Sequence, residues 1–305
     1  MMAERPDATL TEDMFDEPKR SVVATPRARF WLRFRRHRMA MAGLVFLVVV
    51  VLLAVAAPWV TQHLPTKIHS GLTRAAPTAD HILGGDVAGR DIWSRVVYGG
   101  RVSLSVGLVA VSISILIALI LGTLSGYYGG AVDMIIMRLT DIMMVFPTLI
   151  LIMAVVSMLG PSIYNVMAII GLLGWPSSAR LVRGQILSVR EWDFVMAARC
   201  LGVQDRNIMF KHILPHVLAP LLVAATFGVA GAILTEAGLS FLGLGVLPPT
   251  PSWGNMLNGA QSIYILERHW WIWLPPGMAI LLTVLAINFV GDGLRDAFDP
   301  RMTLD

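Results

Sequence analysis

Five uncharged, largely apolar runs divide this 305-residue chain: Met39–Val60, Val102–Val132, Ile142–Ala179, Val217–Thr235 and Trp270–Gly291. A helix needs about 20 apolar residues to cross a hydrocarbon core of roughly 30 Å. The third run holds 38 residues. At about 1.5 Å per residue it would cover nearly twice that thickness, so it is predicted to fold back on itself. Gly160-Pro161-Ser162 in its middle supplies the turn signal. The pattern predicts an all-α integral membrane protein with six transmembrane helices.

The polar intervals set the organisation. Residues 1–38 form an N-terminal tail, and Pro6, Pro18, Pro26 and the acids Glu12, Asp13, Asp16 and Glu17 predict disorder over 1–26. A first helix, 39–60, is followed by a loop, 61–101, and a five-helix core over 102–292. The core carries a polar loop at 188–215 and a Pro- and Gly-rich loop at 239–269, and 293–305 closes the chain. Gly107, Gly122, Gly126, Gly171, Gly174, Gly228 and Gly231 recur in the core, where small residues let membrane helices approach closely. Trp270, Trp271 and Trp273 fit an interfacial aromatic belt. Ala54-Val55-Ala56 imitates a signal-peptidase site, but the long preceding tail and the 22-residue run favour a retained helix.

Charge orients the spans. Lys and Arg number nine in 1–38, five in 183–215 and two in 292–305, against six in 61–101 and 239–269 together. The bias places both termini in the cytoplasm. The dense cluster from Arg27 to Arg38 reads as a topology anchor on anionic lipid rather than a nucleic-acid site. The single Cys200 excludes an internal disulfide and falls on the cytoplasmic side.

Catalytic signatures are missing. The chain contains no Gly-x-x-x-x-Gly-Lys-Ser/Thr phosphate loop, His-Glu-x-x-His, Cys-x-x-Cys or Gly-x-Ser-x-Gly. The seven histidines are scattered over polar segments, and His212 and His216 read as solvated. No catalytic or metal-binding residue is assigned, and the chain is expected not to be an enzyme. Charged residues at the edges of spans are Arg138, Asp141, Arg180, Glu236 and Asp292. Arg138 and Asp141, three apart, are expected to pair on one helix face. Glu236 is expected near the outer interface, bonded to the Gly-rich loop after it or gating the outer mouth, with the first reading favoured. A self-sufficient secondary transporter or channel would need paired intramembrane charges or interrupted half-helices. Pro176 is the one break that tempts, and it reads as a kink.

The polar stretch from Ser188 to Pro215 remains. Ser188 and Glu191 suit a capping box, Gly202 suits a helix end, and a second short helical stretch with Asp205, Arg206 and Lys211 leads to Pro215. A helix–Gly–helix element held outside a bilayer is offered to a partner.

Here the residues resemble a known family. Ala197-Ala198-x-x-x-Gly202 followed by Ile213-Leu214-Pro215 is similar to the coupling motif of importer permeases of the ATP-binding-cassette class. Three further blocks resemble the dipeptide/oligopeptide/nickel subgroup. They are Leu83-Gly84-Gly85-Asp86 with Gly89-Arg90-Asp91 and Ser94-Arg95; Leu239 to Gly245 leading to Pro248 through Gly254; and Gly291 to Asp296 with Asp299-Pro300-Arg301. Together they cover roughly 30–301. Met196 stands where the motif has glutamate, His212 where it has isoleucine, and Gly85 where threonine is common.

The resemblance implies a type I importer permease architecture in the inner membrane of a prokaryote, with cytoplasmic coupling helices. Ala197, Ala198, Gly202, Asp205, Leu214 and Pro215 would form the ATPase-coupling site. The partners it implies are a second, similar permease, two cytoplasmic ATP-binding subunits and an external solute-binding protein, all within membrane lipid. ATP and Mg would be bound by the ATPase subunits, and this chain would hold no cofactor. The transported solute would be a di- or oligopeptide, with a glutathione-like molecule or a nickel chelate as alternatives. No substrate-binding residue is assigned.

Overall fold

The computed structural model describes residues 26–298. The disorder expected over 1–26 falls outside the described residues save for Pro26, and so does the block Asp299-Pro300-Arg301. Among the described residues every regular element is helical. Extended chain pairs only at two isolated antiparallel bridges, Ile68 with Arg90 and Gly85 with Asp91.

The chain opens with α1 (Pro26–Arg36), α2 (Arg38–Val55) and a short α3 (Ala57–Val60). Much of the basic cluster is therefore helical. Phe34 is buried beside Ala40 and Ala297, and the Phe30 ring lies 4.8 Å from that of Phe298. His37 caps α2, its Nδ1 accepting from the amide of Ala40 at 3.0 Å. At the far end of α2 the Arg101 guanidinium donates to the carbonyls of Ala54 and Val55. Carbonyls at the last turn of a helix carry the negative end of its dipole, so a cation is favoured there.

Helix α4 (Ile92–Tyr128) begins ten residues before the apolar run. Asp91 caps it, accepting from the Ser94 amide at 2.8 Å and the Ser94 hydroxyl at 2.7 Å. Next come α5 (Gly130–Val145) and α6 (Thr148–Leu159), bent by 85° between them. Pro147 has no amide hydrogen and drives Phe146 into the extended region (φ −87°, ψ 137°). The interrupted helix thus lies at Pro147, not at Pro176, which α7 (Ile163–Val189) carries buried inside it. The expected turn before α7 is present, with Gly160 at φ +85°.

Among the described residues, four helical stretches are long and apolar enough to cross a membrane: Arg38–Val55, Ile92–Tyr128, Asp205–Phe241 and Trp270–Phe298. The bent α5–α6 pair makes a fifth. Asn165, Arg180 and Arg183 dilute the apolar run of the 27-residue α7, which does not qualify on composition.

Helices α4 and α7 lie side by side, and three glycines set how closely. A Cβ on Gly122 would sit 2.7 Å from the Ala179 carbonyl, and one on Gly171 would sit 2.8 Å from that of Ala110. A Cβ on Gly126 would come within 2.9 Å of Ile186. Gly107 likewise meets Ile233 across α10 (Leu214–Phe241), whereas Gly231 faces open space and is not a packing glycine. The last long helix, α13 (Trp270–Phe298), packs against α2 and α10.

Two sets of connections cover one end of the bundle: residues 61–91, and a segment holding α11 (Trp253–Leu257) and α12 (Ile263–Arg268). The ends of α4 and α10 meet there at Glu236. Its side chain is fully buried, not interfacial, accepting from Ser103 Oγ at 3.1 Å and Ser240 Oγ at 2.7 Å. Ser240 Oγ in turn accepts from the amide of Val246, so Glu236 does secure the Gly-rich loop, through a hydroxyl. Burial is possible because Gly245 and Gly254 bring backbone against Ser240 and Ala237, where a Cβ would clash at 2.1 and 2.5 Å.

Candidate functional site

The opposite end carries the polar stretch. Ser188 and Glu191 do not form a capping box: α7 continues to Val189, because Val182, Ile186 and Val189 are buried along α4 and hold the helix in register. The first of the two expected short helices begins instead four residues after α7 ends, as α8 (Asp193–Cys200), with Trp192 at its N-cap and no side-chain cap. Asp193 in the first turn places a negative charge where the helix dipole favours one.

Helix α8 ends in a Schellman turn. The Gly202 amide donates to the Arg199 carbonyl at 3.0 Å, and the Val203 amide to that of Ala198 at 3.1 Å. Gly202 has φ +71°, the left-handed region that glycine enters without penalty. After it come α9 (Asp205–Asn207), a π-helical turn over Ile208–Ile213, and α10. Pro215, in the first turn of α10, has no amide hydrogen and crowds the carbonyl four residues back. The ladder widens before it: the Leu214 amide bonds to Met209, five residues back.

Of the six residues expected at this site, Ala197, Gly202, Asp205 and Pro215 are exposed and Leu214 is half-buried. Ala198 is buried with Val195, Ile208, Met209 and Ile213, forming the seam that fixes the element to the bundle. Asp205 is exposed yet engaged, its Oδ1 accepting from the Tyr127 hydroxyl at 2.6 Å, while the Arg199 guanidinium lies 5.3 Å from the same ring. His212 and His216 are not simply solvated. His216 packs against Trp192 and Phe194 at ring distances of 5.2 and 5.5 Å, and His212 lies 6.5 Å from Phe194.

Several side chains absent from the expected set define its outer face. Leu201, beside Gly202, is 83% exposed, and Met196, Phe194, Trp192 and Phe210 are exposed as well. The signal was present as apolar residues inside a charged stretch. Beside the element is a cavity of about 730 Å³, bordered by Gln185, Ser188, Trp192, His216, Pro220 and Arg295.

Ion pairs brace this end. Arg183 grips Asp133 with two hydrogen bonds of 2.6 Å, and Ser125 donates to the same carboxylate. Asp141 pairs with Arg180 of α7 at 2.5 Å, not with Arg138. The inter-helix partner wins because α5 lies against α7.

Between α4, α6, α7 and α10 lies a second cavity, of about 560 Å³, open on one side. Ser114, Thr148, Ser177, Ser178 and Thr235 supply hydroxyls among apolar walls, and no charged residue borders it. A polar solute could exchange water contacts for hydroxyls and helix carbonyls there. Sequence reasoning assigned nothing to this region, although the Ser and Thr positions inside uncharged runs were legible. Among the described residues, no group of three or more His, Cys, Asp or Glu side chains is arranged to hold a metal ion.

Comparison with known proteins places this geometry. Residues 114–304 match the family described as binding-protein-dependent transport system inner membrane component. The chain belongs to this family. Residues 25–77 also match the N-terminal transmembrane domain of oligopeptide transport permease C. A peptide permease protein of Brucella ovis is 44% identical over 280 residues, covering 92% of this chain and 93% of its own. The dipeptide transport system permease protein DppC of Alkalihalophilus pseudofirmus is 39% identical over 302 residues, 99% of this chain and 97% of its own. The di/tripeptide transport system permease protein DppC of Pseudomonas aeruginosa is 41% identical over 287 residues, 92% and 94% respectively. In this transport component, then, the chain supplies membrane helices around an uncharged cavity. At one end it projects a short, apolar-faced helical hairpin.

Proposed function

We propose that the chain is one of two permease halves of an ATP-driven peptide importer in a prokaryotic inner membrane. It would cross the membrane six times, α7 and the bent α5–α6 pair each counting as a span, with both termini cytoplasmic. The observation that carries this reading is the α8–α9 hairpin, which exposes Leu201, Met196 and Phe194 from a charged stretch between membrane helices. Exposed apolar side chains rimmed by charge mark a protein-binding surface. The partner there is an ATPase subunit, which brings the ATP and Mg. A solute-binding protein delivers peptide at the end covered by residues 61–91. ATP-dependent binding biases the bundle between two states, and the 560 Å³ cavity passes the peptide.

One observation favours a second reading, a self-sufficient secondary transporter: the 85° break between α5 and α6, since interrupted helices build the ion sites of such proteins. Reconstitution separates the two. Proteoliposomes holding this chain, a second permease, the ATPases and the binding protein should accumulate peptide only with ATP. Gly202→Asp should insert normally and abolish that uptake. Peptide movement by the chain alone, without any ATPase, would overturn the importer reading.

A further inference from the structure

At the end of the bundle opposite the hairpin, a small cavity of about 130 Å³ lies between residues 86–95, α11 and the start of α13. Arg90 and Arg95 border it together with Asp86, and exposed Val87, Pro248 and Asn258 form its rim. Its charge does not balance. Asp86 is the acid that meets both arginines: Arg90 Nε donates to Oδ2 at 2.7 Å, and Arg95 Nε lies 3.4 Å from the same oxygen. Asp86 also spends Oδ1 on the amides of Ala88 and Arg90. Asp91, the neighbouring acid, is turned to His81 and Ser94. Among the described residues no second carboxylate lies within 4.0 Å of either guanidinium, so two cations share one anion.

Arg95 is only 2% exposed. Its Nη1 donates to the carbonyls of Pro65 at 3.2 Å and Pro249 at 3.5 Å, tying the two covering segments together. Its Nε is buried and makes no hydrogen bond. Asp86 Oδ2, at 3.4 Å, gives this nitrogen an ion-pair contact without hydrogen-bond geometry, and a buried donor left so is costly. Asn255 does not supply it, since its Nδ2 is committed to the carbonyls of Val246 and Thr250. Asn258 is likewise bonded to Phe241.

We propose that this cavity is an anion site for one small carboxylate, held by Arg90 and Arg95 and walled by Met256 and Ile272. Guanidinium groups match the carboxylate in charge and planar geometry. The volume admits a carboxylate head and little more. The carboxylate comes either from a free small anion or from the C-terminus of a peptide. The site stands on the cavity and its charges alone, independent of the importer reading.

The test is thermal unfolding of the full-length chain in lipid nanodiscs, titrated with sodium acetate at constant ionic strength. Sodium chloride, which carries no carboxylate, serves as the replacement salt. Acetate should raise the midpoint saturably. Arg90→Gln should raise the half-saturating concentration by about tenfold or more, the scale of a lost charge-assisted hydrogen bond. Arg90→Lys should retain part of the response, and Asp86→Asn, which removes the competing charge, should lower the half-saturating concentration. If Arg90→Gln fails to fold, the opposite shifts of the other two variants decide. A dialanine response absent with dialanine amide assigns the peptide terminus; an acetate response alone assigns a free anion. Equal effects of acetate and chloride, or an unchanged acetate response in the Arg90 and Asp86 variants, would overturn the proposal.

Discussion

Replacing Gly202 tests the hairpin turn through backbone conformation alone. Nothing lies within 4 Å of where its Cβ would be, so added bulk costs nothing by collision. The φ of +71° remains, and an L-residue held in that region loses about 1–2 kcal/mol. Gly202→Ala should therefore populate the opened turn about 5- to 30-fold more. Asn tolerates the left-handed region better, so Gly202→Asn should fall between Ala and the parent. The reporters are the amides that close the turn, Gly202 to Arg199 and Val203 to Ala198. Hydrogen exchange over 197–207 in nanodiscs reads their protection directly, with the α4–α7 interface as an internal reference. Identical exchange in the Ala and Asn variants, or acceleration spread over the whole bundle, would refute the reasoning.

Gly122→Val should destabilise the bundle by about 1–3 kcal/mol through overpacking against the Ala179 carbonyl and Val182, measured by unfolding in mixed micelles. Gly231→Ala, which faces open space, should be close to neutral in the same assay. Glu236→Ala should cost more than Glu236→Gln, because alanine strands the buried hydroxyls of Ser103 and Ser240 at about 1–3 kcal/mol each, whereas glutamine keeps an acceptor. His69 should make residues 61–91 acid-sensitive. Burial, then the neighbouring His63, Lys67 and His81, holds its imidazole below the ordinary value, with Asp91 opposing. The unfolded loop thus takes up the proton more readily, and stability is lost as pH falls through and below about 6.5 and restored above it. Exchange over 61–91, corrected for intrinsic rates, should rise on acidification, and His69→Gln should flatten that rise.

Local chemistry explains what could be read without coordinates. The apolar runs mark the long helices, Gly160 marks the reversal before α7, and Gly202 marks the end of α8, since each depends on residues within one turn. Asp91 and Ser94 carried a cap signal that places the start of α4 at residue 92, and Pro147 carried the break between α5 and α6. At both places a cap or breaker residue, not the apolar run around it, sets the helix boundary. The capping box at Ser188 failed for another reason: tertiary burial of Ile186 and Val189 outweighs a local preference for starting a helix. Partner choice was illegible in principle. Arg138 is nearer to Asp141 in sequence, but the α5–α7 contact delivers Arg180 instead. The cavity between α4, α6, α7 and α10 is likewise a product of assembly, since no single helix carries more than part of its wall.

The bond between Tyr127 and Asp205 bears on how motion would leave the hairpin. The hairpin continues α7 on one side and runs into α10 on the other, while Tyr127 fastens it to the end of α4. Force applied at Leu201 therefore arrives at three separated points on the bundle rather than along one axis. A load shared in that way acts as a torque. It would turn α10 against the α4–α7 pair more readily than it would draw any helix through the membrane.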